Sequence, residues 1–224
     1  MNQKELSGFL KERSLLKQEV YENAKTFFSK FKTCLEKEVD LLKKEVKSDR
    51  VRTIYEDKGA FEAHAYVGSD VLVFNMHTNV FCFPDESPVC KTSYVKKNKD
   101  LAYCGVFHIY NFLADSFLHG RLNDPGYLLA RIFVNKEGHF FVEGKGKLGI
   151  DYRDFINCGL TDDIIMDIIR KAIYQSAEFD LLTPPIDLVD TASVMQIKAQ
   201  SSSAQMKTGK RLGFKFEAER NQIK

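Results

Sequence analysis

The chain has 224 residues, of which 44% are hydrophobic and 12% aromatic, and it contains no Trp. This composition is typical of a globular protein that buries a sizeable core, and it excludes the disordered and fibrous classes. The formal net charge of +2 produces no strong overall field, so nucleic acid is a possible partner that the charge does not indicate.

The pattern of apolar and cysteine residues predicts a cytoplasmic protein without a membrane partner. No apolar run approaches the roughly 20 residues that a spanning helix requires. Charged residues interrupt the start of the chain, where a signal peptide would have its apolar stretch. The five cysteines and five histidines are scattered, without the spacing of a disulfide framework or a zinc site. We therefore expect no metal and no other cofactor.

Residues 5–47 predict one long amphipathic helix, within a helical region over 1–48. This stretch has no Pro, and its apolar residues recur at spacings of three and four. The recurring residues are Phe9, Leu10, Leu16, Val20, Ala24, Phe27, Phe31, Cys34 and Leu41. Glu38 interrupts the row. Because a helix of this length extends beyond a small sheet, two interpretations stay open. The whole stripe lies on the sheet of its own domain, or part of it binds a protein partner or a second copy, as in a homodimer.

After Asp49 the hydrophobic period changes to two, which predicts a mainly β region over residues 50–150. Strands are expected at 51–55, 60–67, 71–76, 80–83 and 89–95. The turns between them are too short for βαβ crossovers, so neighbouring strands should be antiparallel. Residues 101–122 fit either a strand or a helix, and we expect a strand that leads into a short helix.

A second helix is predicted near residues 161–179, because Thr161 precedes two acidic residues and isoleucines recur at helical spacing. Pro184 and Pro185 forbid its continuation. From 187 to 224 the composition is polar, which predicts a tail or a loosely attached arm. The expected fold is therefore one α+β domain over residues 1–186. In it the second helix packs on a mostly antiparallel sheet of about five to eight strands.

The clearest local prediction is a β-hairpin formed by residues 127–134 and 139–145. Asn135 and Gly138 suit a type I turn closed by a left-handed glycine, and this turn fixes the register. The register places Arg131 opposite Glu143, which predicts a structural ion pair. The expected core side consists of Leu128, Ala130, Ile132, Val134, Phe140 and Val142.

Glu143 and Lys145 form an E-x-K motif that resembles the end of the metal site in PD-(D/E)xK nucleases. In that family an Asp and the Glu share Mg²⁺, and the Lys assists the attacking water. The nearest upstream acid is Asp124, which precedes Pro125 rather than following a Pro. The hairpin register separates Asp124 from Glu143 by roughly 20 Å. A Mg²⁺-dependent nuclease with Asp124, Glu143 and Lys145 as catalytic residues is therefore the alternative hypothesis.

Residues 144–149 carry glycines spaced as in G-x-G-x-x-G, but they follow an antiparallel hairpin rather than the strand of a βαβ unit. They indicate at most a weak anion contact, formed by Gly144, Lys145, Gly146 and Lys147. No motif determines the function, and no group of nucleophile, base and orienting residue is recognisable. The favoured interpretation is an intracellular, non-enzymatic binding or assembly module that acts through the long helix.

Overall fold

The chain forms one antiparallel β-sheet with its longer helices on one face, in a computed structural model. The described residues are 2–156 and 159–180, followed by 183, 185–188, 190–195 and 197–198. The helices are α1 (Gln3–Val46), α2 (Ser93–Lys97), α3 (Ala114–Leu118), α4 (Leu148–Asp151) and α5 (Asp162–Ala177). The strands are β1 (Thr53–Asp57), β2 (Glu62–Val67), β3 (Asp70–Met76), β4 (Phe81–Cys82), β5 (Tyr103–Leu113), β6 (Tyr127–Asn135) and β7 (Phe140–Gly144). The expected polar tail lies mostly outside the described residues.

The strand order is β1-β2-β3-β5-β6-β7, and β4 pairs separately with β5. Every pairing is antiparallel, and the short turns that join β1 to β2, β2 to β3 and β6 to β7 permit no other arrangement of those strands. The α+β prediction is thus confirmed, with seven strands in the described sheet. The ambiguous region after residue 101 contains β5 followed directly by α3, as expected.

The helix α1 begins and ends where its capping residues dictate. At its start, the Asn2 side chain accepts a hydrogen bond from the Glu5 amide, and the Glu5 carboxylate accepts one from the Asn2 amide. This reciprocal capping box satisfies two amides that would otherwise lack partners. The helix ends at Val46, and the capping residue Lys47 that follows adopts the left-handed conformation with φ 48°. At 1.5 Å per residue, its 44 residues give a length of about 66 Å.

The main core lies between the sheet and the pair α1 and α5. The rings of Phe28 and Phe31 both contact Phe107 of β5, and their centroids lie 5.4 and 5.6 Å, respectively, from the centroid of the Phe107 ring. A Cβ on Gly105 would stand 2.3 Å from the Cβ of Ala24, so α1 approaches β5 this closely only because residue 105 is glycine.

The buried stripe of α1 differs in part from the predicted one. Phe28 is buried, whereas Phe27 is only half-buried and Leu41 is exposed. Glu38 does not interrupt the buried stripe, because its carboxylate accepts hydrogen bonds at 2.9 and 2.5 Å from the Arg170 guanidinium of α5. A charge can remain at this buried position because a neighbouring helix supplies its counter-ion.

The opposite face of the sheet is covered in part by α3 and by the segment between β4 and β5. The expected strand over residues 89–95 is wrong: this segment forms a 3₁₀ turn at Val89–Lys91 and then α2. Thr92 caps α2 by accepting a hydrogen bond from the Val95 amide. Val95 then packs with Phe133 and Phe141 in a second apolar cluster. Alternating apolar residues therefore serve a short helix here rather than a strand.

The hairpin of β6 and β7 pairs in the expected register, with Arg131 opposite Glu143. Gly138 has φ 78°, which is the left-handed conformation that the turn requires. The expected core side is wrong at one position, because Leu128 is half-buried whereas Leu129 is buried. Leu129 is the extra residue of a β-bulge opposite Ile109 and Tyr110, and a bulge exchanges the two faces of a strand beyond it.

Candidate functional site

Asp124, the first residue of the predicted metal site, is held in a buried ion pair after α3. Its carboxylate accepts a hydrogen bond from the Ser116 hydroxyl at 2.6 Å and lies 2.7 Å from the Arg121 Nε. Its side chain is only 5% exposed. These contacts close the loop between α3 and β6, so a structural role accounts for the carboxylate.

Glu143 and Lys145, the other two residues of the E-x-K hypothesis, contact different partners. The Arg131 guanidinium donates a hydrogen bond to the Glu143 carboxylate across the hairpin, and both side chains are half exposed. The Lys145 ammonium lies 4.2 Å from the centre of the Tyr127 ring. Each acid is therefore paired with its own arginine. Within the described part of the chain, no cluster of three or more His, Cys, Asp or Glu side chains is arranged to hold a metal ion.

The glycines of residues 144–149 allow two pieces of backbone to touch. A Cβ on Gly149 would stand 2.0 Å from the carbonyl oxygen of Gly144, so the turn closes only with glycine there. The Lys145 amide donates to the Leu129 carbonyl, and the Gly149 amide donates to the Gly146 carbonyl. Lys147 is exposed. Because two amides of the loop bond within the protein, packing explains its sequence, and an anion contact stays a prediction.

A groove of about 740 Å³ runs beside β7 and includes Glu143 and Gly144 in its lining. Its wall is mainly apolar and contains Phe141 and Phe155, which also belong to the second apolar cluster. The Arg153 guanidinium in its lining donates a hydrogen bond to the Gly149 carbonyl. The charged residues of its lining, Glu143, Arg153 and Asp154, each have a hydrogen-bond partner within the protein.

A polar network joins α4 to α5. The Lys171 ammonium donates to the Asp167 carboxylate and to the Tyr152 hydroxyl and lies 2.7 Å from the Asp151 carboxylate. The Tyr152 hydroxyl donates to Asp167. Burial and the bond to Asp167 raise the pKa of Tyr152 to about 12. A tyrosine with this pKa stays protonated at neutral pH, and the hydrogen bonds of the network fasten the two helices together.

The N-terminal part of α1 presents apolar side chains that the described chain leaves largely exposed. Leu6, Phe9 and Leu10, which we call the free stripe, are 39%, 53% and 55% exposed. Their spacing of three and four places them on one side of the helix. Along the same side, Leu16 is the first residue that the rest of the fold buries, at 7% exposure. One apolar face therefore has a covered part and an uncovered part.

Arg13 marks the boundary between these two parts of α1. Its guanidinium lies over the rings of Phe9 and Tyr103, 5.5 and 5.4 Å from their centres, and donates a hydrogen bond to the Tyr103 hydroxyl. Tyr103 is the first residue of β5. Because Arg13 fastens the helix at the first residue of the central strand β5, the turns before it continue as helix beyond the sheet.

The free stripe has an acidic border. Glu5 and Glu12 lie on one side of it, seven residues apart, and Glu19 continues this row beside the covered part; all three are exposed. Residues seven apart occupy nearly the same side of a helix. The opposite border carries the uncharged Ser7 and Ser14. A partner that covers the stripe would therefore meet negative charge along one side of it and, at its far end, the exposed cations Arg13 and Lys17.

Sequence reasoning found Phe9 and Leu10 but missed Leu6, which precedes Phe9 by three residues. Leu6 could have been found from the helical spacing alone.

The comparisons with known proteins leave the function open: no protein-family model, no curated protein and no solved structure gives a significant match to this chain. Among the described helices, none has the length and apolarity needed to cross a membrane.

Proposed function

We propose that this protein is a non-enzymatic binding module that docks a protein partner on the free stripe of α1. The observation that carries the proposal is the continuity of one apolar face, which is buried from Leu16 onward and exposed at Leu6, Phe9 and Leu10. An amphipathic helix with anchors at this spacing is a common way to present a surface to another protein. The capping box at Asn2 and Glu5 supports the helix before any partner binds, which lowers the entropy lost on binding.

The charges bordering the stripe define the chemistry of the partner. Glu5 and Glu12 stand on one border, so the partner should present an apolar segment flanked by Lys or Arg. Charge pairs of this kind beside an apolar seam determine which helices associate and in which direction. The partner is thus an amphipathic segment with a basic edge.

A second copy of the chain fits this surface less well. In an antiparallel pair, Glu5 and Glu12 of one copy would face the same residues of the other, and like charges across a seam oppose association. In a parallel pair that met along the free stripe, the helix of each copy would run, from Leu16 onward, where the sheet of the other copy lies. The two copies would therefore collide. We therefore favour a different protein over self-association. The cytoplasmic location stays a prediction.

A synthetic amphipathic peptide tests this proposal. The probe carries leucines at helical spacing and lysines along one border, and a matched peptide carries glutamates instead. Binding to the full chain is measured by fluorescence anisotropy. We expect the lysine peptide to bind more tightly, and we expect Phe9→Ser combined with Leu10→Ser to abolish binding. The control is Leu15→Ser, because Leu15 is 58% exposed but lies on the other side of the helix.

The charge preference has its own test. Glu12→Lys, which leaves the capping box of Asn2 and Glu5 intact, should remove the preference for the lysine peptide. Equal binding of both peptides to wild type, or no loss with the Phe9 and Leu10 variant, would overturn the proposal. Sedimentation velocity at several protein concentrations provides the second measurement. A wild-type dimer that Leu6→Ser converts to monomer would replace the proposed partner with a second copy of the chain.

A further inference from the structure

A second concave surface lies at the other end of α1, where the helix gives way to β1. A groove of about 560 Å³ is formed there by the last turn of α1, the connection to β1, the turn between β2 and β3, and the start of α3. We call it the basic groove, because Lys43, Lys47, Arg50 and Arg52 all line it. Its volume lies within the range of small-molecule sites.

Three of the four cations of the basic groove have no carboxylate of the described chain within ion-pair distance. Among the described residues, Lys43, Lys47 and Arg50 form no ion pair, whereas other cations of this protein, such as Lys32 and Arg170, do. Arg52 lies over the Tyr66 ring, 5.9 Å from its centre.

The acids in the lining of the basic groove are Asp49 and Asp115, and both are exposed. The four cations therefore outnumber the two acids, and the groove keeps a local positive field that the near-neutral chain as a whole lacks.

The wall of the basic groove is open at Gly68, in the turn between β2 and β3. This glycine has φ 61°, and a Cβ placed on it would meet no atom within 4 Å. Val51 and Ile54, at 39% and 46% exposure, add an apolar border. The groove thus offers several cations and space for more than a single small ion.

We propose that the basic groove binds the phosphate groups of a phosphate ester. Arginine and lysine bind phosphate by charge-assisted hydrogen bonds, and the planar guanidinium groups can engage two oxygens at once. Several cations around one concavity suit a ligand with more than one phosphate. Two sources share this chemistry, namely a soluble phosphorylated metabolite and the headgroup of an anionic lipid. This inference is independent of the function proposed for the free stripe, which lies at the opposite end of α1.

Isothermal titration calorimetry of the full chain with inositol hexakisphosphate and with ATP tests whether the groove binds phosphate esters. Flotation with phosphatidylcholine vesicles that contain a phosphoinositide tests the lipid source. We expect Arg50→Ala and Lys47→Ala each to weaken binding by about tenfold, as for the loss of one charge-assisted contact. The control is Lys96→Ala combined with Lys97→Ala, which removes two cations of α2 outside the groove and should leave binding unchanged.

Gly68 provides a matched pair of variants. Asn and Asp both tolerate the left-handed conformation and have nearly the same shape, so Gly68→Asn and Gly68→Asp differ mainly by one negative charge. We expect the Asp variant to bind each probe at least about tenfold more weakly than the Asn variant. Circular dichroism melting verifies that both variants fold. If either variant does not fold, Lys47→Glu compared with Lys47→Gln makes the same test of charge.

The outcomes distinguish the two sources of the ligand and also test the proposal. Binding of the soluble probes in preference to vesicles supports a phosphorylated metabolite, and the reverse order supports a lipid headgroup. The proposal is overturned if no probe binds wild type, or if the Lys96 and Lys97 variant loses as much affinity as Arg50→Ala. It is also overturned if the Gly68→Asn and Gly68→Asp variants bind equally well.

Discussion

The covered and free parts of α1 share one apolar pattern but differ in what lies against them. Phe28, in the covered part, is 1% exposed, and Phe9, in the free part, is 53% exposed. The difference arises from the sheet, which ends near Tyr103, the first residue of β5, where Arg13 fastens the helix. Periodicity therefore identifies the apolar face of a helix, while the extent of the neighbouring layer decides how much of that face remains available to a partner.

The two phenylalanines give the sharpest test of this comparison. We expect Phe28→Ala to lower the free energy of unfolding by about 3–5 kcal/mol, because it removes a fully buried ring and leaves a cavity. Phe9→Ala should change it by no more than about 0.5 kcal/mol. Urea denaturation monitored by circular dichroism measures both. An equally large loss with Phe9→Ala would show that the free stripe is covered within the isolated chain, and the docking proposal would fail.

The charged residues of α1 repeat the comparison with a smaller effect. Arg170→Ala leaves the Glu38 carboxylate, 8% exposed, without its guanidinium, and we expect a loss of about 1–3 kcal/mol. Glu12→Ala removes an exposed acid and should change stability by less than about 0.5 kcal/mol. The same denaturation measurement compares them. A negligible effect of Arg170→Ala would mean that solvent, rather than α5, satisfies Glu38.

The parts of the fold that the sequence predicts are those with local signals. The helix α1 follows from spacing within one segment, and the pairing of Arg131 with Glu143 follows from a four-residue turn. The bulge that buries Leu129 has no such signal, because it depends on how β6 pairs with β5. The segment over 89–95 was misassigned for the same reason, since the contacts of Val95 with distant aromatic rings favour a helix.

The candidate sites differ in the same way. Phe9 and Leu10 were visible because the free stripe lies within one helix. The basic groove was not visible as a site in the sequence, since Gly68 and Asp115 join the cations of residues 43–52 only after the chain has folded. The excess of positive charge over residues 43–52 is still a local signal. The E-x-K motif shows the opposite case, in which a short pattern is explained by a cross-strand ion pair.

The smallest expected effect concerns the ion pair that fastens the covered part of α1 to β1. The Lys32 ammonium donates to the Asp57 carboxylate at 2.8 Å and to the Gly59 carbonyl at 2.9 Å. The bond from Lys32, followed by the bond from the Gly59 amide, lowers the pKa of Asp57. A carboxyl group with a lowered pKa in the folded state stabilises the fold above its unfolded pKa of about 3.9. That stabilisation is lost as the pH falls through the folded value.

Lys32→Met should therefore lower stability by a few tenths of a kcal/mol at neutral pH, since Asp57 is half exposed and water screens the pair. The difference from wild type should shrink as the pH falls below about 4, where Asp57 begins to take up a proton. Thermal unfolding across this pH range measures it. Lys11→Met is the matched control, because the exposed Lys11 lies in the free part of the helix and its substitution should give a difference that does not change with pH. A constant deficit for Lys32→Met down to the lowest pH would mean that Lys32 stabilises the fold through other contacts, such as its bond to the Gly59 carbonyl, rather than through its pairing with Asp57.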